Sequence, residues 1–217
     1  MAPYYPIFLK IEQKTCVVIG GGRVAERKIE SLLKRGARVK VIAPEVTERI
    51  SSWAEKGLLD LELRNFQQGD LKGAFLVIAA TNNPQVQQEV FAEAEERQIF
   101  CNVVDKPDLC SFIVPSVLER GHLQIAISTS GASPALARRI RKQLEEVFGP
   151  EYAEYLELLA LWRKEILSRN LTEKERRQIF EHLVLAPVPL WIKRGEREHI
   201  KALAKTFNLP LPRDGGI

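Results

Sequence analysis

The sequence predicts an α/β protein, a doubly wound parallel sheet followed by a small α+β region and a helical C-terminal domain. Three observations carry this. The glycine run Gly20-Gly21-Gly22 separates a β-branched run from an amphipathic stripe. Apolar runs and helical stripes then alternate over residues 14–104. Beyond Asp105 that alternation gives way to helix starts and stops. The first segment therefore reads as Rossmann-like.

Residues 15–19 (Thr-Cys-Val-Val-Ile) read as a buried strand. Ala25, Ile29, Leu32 and Leu33 form the apolar stripe of a helix that Gly36 ends, and residues 38–43 give a second strand. Together they make one β-α-β unit. Ile50, Trp53 and Ala54 suggest a helix closed by Gly57, and residues 59–63 alternate like a strand. Residues 74–80 are a continuous apolar run suited to a central strand, Pro84 opens a helix reaching Arg97, and residues 100–104 add a strand.

Residues 112–114 and 123–128 read as short strands around a helical turn or loop, and residues 128–133 as a polar, flexible stretch. Ser133-Pro134 is a good helix start, and Gly149-Pro150 stops that helix near Phe148. Helices are expected at 151–169 and 172–184, the second capped by Thr172 with Glu175 three residues on. From Ala186 onward the prolines and final glycines suggest a loosely attached tail with a short helix near 195–206.

Composition narrows the function classes. Net charge is +4 from 32 basic and 28 acidic residues, well mixed, so no nucleic-acid footprint is expected. No apolar run approaches the roughly 20 residues of a membrane helix, and the N-terminus lacks a signal peptide's pattern. The cytoplasm is the expected compartment. Cys16 and Cys101 lie in apolar stretches and read as buried; with Cys110 they show no CxxC spacing. The three histidines are far apart, so no metal site is expected, and His122 reads as a surface turn residue.

Gly20-x-Gly22-x-x-Ala25 follows a strand and opens a helix. The first glycine permits the tight turn, the second lets the backbone approach a pyrophosphate, and Ala25 lets helix and strand pack closely. The helix N-terminus at Arg23 and Val24 presents free N–H groups to the phosphates. The second strand ends Ala43-Pro44-Glu45. Glu45 either reaches the ribose or is a solvated helix-start acid. With no arginine there to receive a 2′-phosphate, NAD is favoured mildly over NADP. Thr81 and Asn82 close the long central strand, where such sheets bind ligands; a polar strand-to-helix turn is the other reading, for Asn83 as well.

Six stretches in register are specific in combination: Pro6-Ile7-Phe8, residues 20–28, 79–82, 102–105, 111–116 and 128–138. Over residues 3–150 the chain resembles the precorrin-2 dehydrogenase/sirohydrochlorin ferrochelatase family, the N-terminal part of siroheme synthase. The resemblance implies NAD-dependent oxidation of precorrin-2 to sirohydrochlorin, with Fe²⁺ insertion added in some members. It also implies a homodimer: a Rossmann domain over 1–110, a dimerisation region over 111–150 and a helical C-terminal domain over 151–217. No residues remain for the methyltransferase domain fused in some siroheme synthases, so a stand-alone form is expected.

Oxidising a reduced tetrapyrrole sends a hydride to the nicotinamide and protons to a base. Asp105, just past the strand at 100–104, is placed for that, and the family's matching aspartate is its proposed acid/base; a turn-capping aspartate is the bland alternative. The implied substrate is a polycarboxylate. Arg138, Arg139, Arg141 and Lys142 follow the Ser/Gly loop on one helix, and either meet carboxylates or form a solvated basic face. Ser128 and Ser130 of that loop are further substrate candidates, and Thr129 matches a serine that some members phosphorylate. Two competing functions remain, a non-catalytic NAD(H)-sensing module and a chelatase.

Overall fold

Five strands form a parallel sheet in the order β3-β2-β1-β4-β5. They are β1 (Thr15–Ile19), β2 (Arg38–Ile42), β3 (Asp60–Glu62), β4 (Leu76–Ala79) and β5 (Phe100–Val103). Helices α1 (Arg23–Leu33), α2 (Glu48–Glu55) and α3 (Pro84–Glu96) make the crossovers. The computed structural model describes residues 4–212. Contacts divide the chain into two compact units, Met1–Val114 and Pro115–Ile217.

Alternation along the strands builds two cores. Cys16, Val18, Val39, Val41, Leu76 and Ile78 meet Ala25, Ile29 and Leu32 of α1 and Ile50 of α2 on one face. Val17, Ile19, Val77, Ala79, Cys101 and Val103 meet Val90 and Ala94 of α3 on the other. The sheet is thus covered on both sides, which explains strands that read as nearly continuous apolar runs. Because β1 and β4 are neighbours while their crossover helices lie on opposite faces, their carboxyl ends form the sheet's switch point.

Glu93 on α3 is fully buried. Its carboxylate accepts the N–H groups of Gly69 (2.9 Å) and Leu71 (3.2 Å) and pairs with Arg97 (2.8 Å). It thereby ties the loop before β4 to α3.

The second unit opens with an antiparallel hairpin, β6 (Ser116–Arg120) and β7 (Leu123–Ile127), joined by Gly121-His122. The strand expected at 112–114 is not there. Phe112 packs edge-on against Phe100 and its carbonyl accepts Asn102 Nδ2 at 3.0 Å, so its backbone serves β5, and the strand begins only after Pro115. No helical turn separates the two strands; Gly121, at φ +55°, makes the tight reversal. His122 lies in that exposed turn, as expected. Helix α4 (Pro134–Val147) starts on Ser133, whose Oγ accepts Leu136 N–H at 3.2 Å.

Helices α5 (Glu151–Ser168), α6 (Glu173–Leu185), α7 (Val188–Arg194) and α8 (Arg197–Thr206) form a third core around fully buried Trp162. Thr172 and Glu175 make the reciprocal cap of α6. The segment after Ala186 is not a loose tail. Val188, Ile200, Ala204 and Leu209 are buried in this core, Trp162 Nε1 donates to the Pro210 carbonyl at 2.9 Å, and Arg169 donates to the carbonyls of Phe207 and Asn208. The final glycines lie outside the described residues.

Candidate active site

The glycine loop leaves β1 and crosses the end of β4. Gly20 has φ +117°, and a Cβ there would run into the Ala80 carbonyl, whose carbon would be 2.7 Å away. Gly21 is tighter still. Its Cβ would land on the Glu45 carbonyl oxygen and 2.7 Å from Val46 Cγ1, while its own carbonyl accepts Thr47 N–H at 3.0 Å.

Gly22 differs from both. Its backbone is extended (φ −81°, ψ −176°), and a Cβ would meet nothing within 4 Å. The protein itself therefore does not demand glycine there. No side chain caps α1 at this end, so its first-turn N–H groups have no side-chain acceptor. Arg23 and Val24 are exposed beside that space, while Ala25 is fully buried beneath it. Open space over Gly22, at an uncapped helix N-terminus, fits a dinucleotide's pyrophosphate.

At the end of β2, Ala43 is buried and donates its N–H to the Glu62 carbonyl at 3.2 Å; Pro44 and Glu45 are exposed. Thr47 caps α2 and donates its hydroxyl to Glu26 of α1 at 2.7 Å. Neighbouring arginines are committed. Arg49 pairs with Glu26 and Glu30 at 3.3 and 3.1 Å and lies over Trp53. Arg64 is held by Asp70 at 2.6 Å and by Glu62, and it keeps the Asp70 carboxyl below its usual pKa.

At the end of β4, Thr81 is half-buried and Asn82 exposed. Thr81 Oγ1 accepts Asn83 N–H at 3.3 Å, and its carbonyl accepts Gln87 Nε2 at 2.7 Å. Asn83 has a structural role, its Oδ1 capping α3 through Gln85 and Val86.

Asp105 stands exposed just past β5, in a left-handed backbone conformation at φ +60°. Its turn is braced from behind. Cys110 Sγ lies 3.2 Å from Val103 N and from the carbonyls of Val103 and Lys106, and Ser111 Oγ accepts Cys101 N–H at 2.8 Å. Burial pushes the Lys28 ammonium of α1 below its usual pKa, and Arg27 adds to this, while Asp105 and Cys110 pull it back up.

The remaining candidates belong to the second unit. Ser128 Oγ accepts Ser130 N–H at 3.0 Å, Ser130 sits at φ +51°, and Thr129 Oγ1 accepts Ser133 N–H at 3.0 Å. Arg138, Arg139 and Lys142 of α4 are exposed, while Arg141 is paired with Glu145.

Residues 7–116, about half of the chain, match an NAD(P)-binding family, and residues 120–146 match the central region of sirohaem biosynthesis proteins. The chain belongs to this NAD(P)-binding family. Siroheme synthase 1 of Aeromonas hydrophila is 38% identical over 99% of the chain, and siroheme synthase 2 of Yersinia enterocolitica 40% identical over 99%. The chain spans about half the length of these relatives, 46% of each. The solved structure of SirC, precorrin-2 dehydrogenase, aligns with TM-score 0.79 at 28% identity, covering 93% of this chain and all of that one.

Membership gives the unit that holds this glycine loop a nicotinamide-dinucleotide cofactor. Gly21 and Thr47 escaped the sequence reading because a GxG pattern leaves the middle position free. Three successive glycines were the available signal. Lys28 and Cys110 carried none, since their neighbours are distant in sequence.

Proposed function

We propose that this chain oxidises precorrin-2 to sirohydrochlorin with NAD⁺ as the hydride acceptor. One observation carries the reading. β1, β4 and β5 are consecutive parallel strands, so the open space at Gly22 and the exposed carboxylate of Asp105 share one carboxyl edge.

When bound, the nicotinamide supplies the hydride acceptor. Gly20, Gly22, Arg23, Val24 and Ala25 would hold the pyrophosphate, Ala43, Pro44 and Glu45 the adenosine end, and Thr81 with Asn82 the wall at β4. NAD rather than NADP is supported by the commitment of Arg49 and Arg64 to carboxylate pairs. Asp105 accepts a proton as the reduced macrocycle loses its hydride. Its exposure leaves the carboxylate accessible, and the Cys110 and Ser111 contacts hold its turn in place.

Ser128, Ser130, Arg138 and Arg141 are assigned to the substrate's carboxylates, with Arg141 exchanging its Glu145 partner for one of them. The division into a cofactor domain (1–110), a dimerisation region (111–150) and a helical domain (151–217) belongs to the same reading. A homodimer is supported by Leu136 and Val147 of α4, apolar side chains 47% and 62% exposed. No helix among the described residues is long and apolar enough to cross a membrane, consistent with work in the cytoplasm.

The test is absorbance-monitored conversion of precorrin-2 with NAD⁺, with and without Fe²⁺. Appearance of sirohydrochlorin supports the reading. A folded chain that binds NAD⁺ but yields no product would favour a sensor.

A further inference from the structure

The connection from β2 to α2, residues 43–47, packs against the glycine loop, and Thr47 anchors its far end. Thr47 donates its N–H to the Gly21 carbonyl at 3.0 Å and its hydroxyl to Glu26 of α1 at 2.7 Å. Its Oγ1 also accepts Ile50 N–H at 3.4 Å, which starts α2. Beside it, the bare Cα of Gly21 lets Glu45 and Val46 approach so closely that a Cβ would overlap them. Arg49 of α2 pairs with the second Glu26 oxygen at 3.3 Å. The Glu26 side chain, only 19% exposed, therefore spends one oxygen on the end of the connection and the other on the helix that follows.

Glu26 lies in the first turn of α1, the turn that is to meet a pyrophosphate. A carboxylate there repels phosphate, so it adds nothing direct to phosphate binding. Its bonds serve the neighbouring connection instead, which carries Ala43, Pro44 and Glu45, the residues assigned to the adenosine end. A connection fixed before the ligand arrives spares binding the cost of ordering it. We propose that Glu26 is a positioning residue for the dinucleotide: through Thr47 it holds the β2–α2 connection in the shape that receives the adenosine end. The assignment rests on the glycine loop being the dinucleotide site, and it is independent of which substrate is oxidised.

The experiment is calorimetric titration of the full chain with NAD⁺ and with ADP-ribose, at a temperature where circular dichroism shows each variant folded. The variants are Glu26→Ala, Thr47→Val, the double variant and Thr47→Ser. A hydrogen bond to a charged acceptor corresponds to about tenfold in an equilibrium constant, so each single variant should weaken both ligands by about five- to tenfold. The double variant should bind within about twofold of the weaker single one, because the two side chains act as one contact. Thr47→Ser keeps the hydroxyl and should stay within about twofold of native. Charge alone predicts the opposite sign, since removing a carboxylate near phosphates tightens binding. Native or tighter affinity in a folded Glu26→Ala chain overturns the assignment, as does a double variant whose losses multiply. A fall in Tm with native affinity makes the contact structural and also overturns it. Thr47→Val alone carries the same test if Glu26→Ala does not fold. A native chain that binds neither NAD⁺ nor ADP-ribose removes the dinucleotide site itself, and Glu26 with it.

Discussion

Two alanine substitutions one residue apart separate the fold's need for glycine from the cofactor's. In Gly22→Ala the new Cβ meets nothing within 4 Å and the backbone is already extended. The cost to folding is then only the difference between glycine and alanine at a helix N-cap, about 0.5–1 kcal/mol. In Gly21→Ala the Cβ overlaps the Glu45 carbonyl and presses on Val46, so the β2–α2 connection must move. Overpacking of that kind costs about 1–3 kcal/mol or more. Urea unfolding monitors the first effect and calorimetric titration with NAD⁺ the second. Gly22→Ala should keep its unfolding midpoint near the native one yet bind NAD⁺ at least tenfold more weakly, because the methyl stands where the pyrophosphate must approach. Gly21→Ala should lose both stability and affinity. Native NAD⁺ affinity in a folded Gly22→Ala protein would refute the assignment of the open space.

Other predictions concern the frame. Glu93→Gln should destabilise the first unit by about 2–3 kcal/mol in urea unfolding, since a buried acceptor of two N–H groups loses charge and an Arg97 partner. Trp162→Ala should cost about 3–5 kcal/mol, and Trp162→Phe about 1 kcal/mol through loss of the bond to Pro210. Burial pushes the thiols of Cys16 and Cys101 up to about 11 and about 12 from an ordinary 9.0. The folded state therefore keeps protons that the unfolded chain releases, so stability should fall as pH rises from 9 through 11; thermal melts of Cys16→Ala should show a shallower alkaline decline.

Much of this architecture was legible because local chemistry and tertiary demand agree. The β-branched run 15–19, the Ser133-Pro134 start and the Thr172/Glu175 cap each specify an element without reference to distant residues, and each formed where expected. Where partners are remote the reading failed. Phe112–Val114 has a strand-like composition, but its backbone bonds are taken by Asn102 and Cys101. Prolines after Ala186 suggested a loose end, yet Pro187 and Pro189 lie at the start of α7 and admit Val188 to the core around Trp162. The site divides in the same way. Glycines at 20 and 22 announce themselves by spacing, whereas the crowding at Gly21 depends on where Glu45 returns.

In the proposed reaction Asp105 accepts the substrate's proton at the carboxyl edge of a dinucleotide-binding sheet. Single-turnover oxidation of precorrin-2 by Asp105→Asn, with saturating NAD⁺, tests it most directly. The variant should be a folded enzyme with native NAD⁺ affinity and a rate lowered by about 10²–10⁴-fold. A rate within a few-fold of native would contradict it.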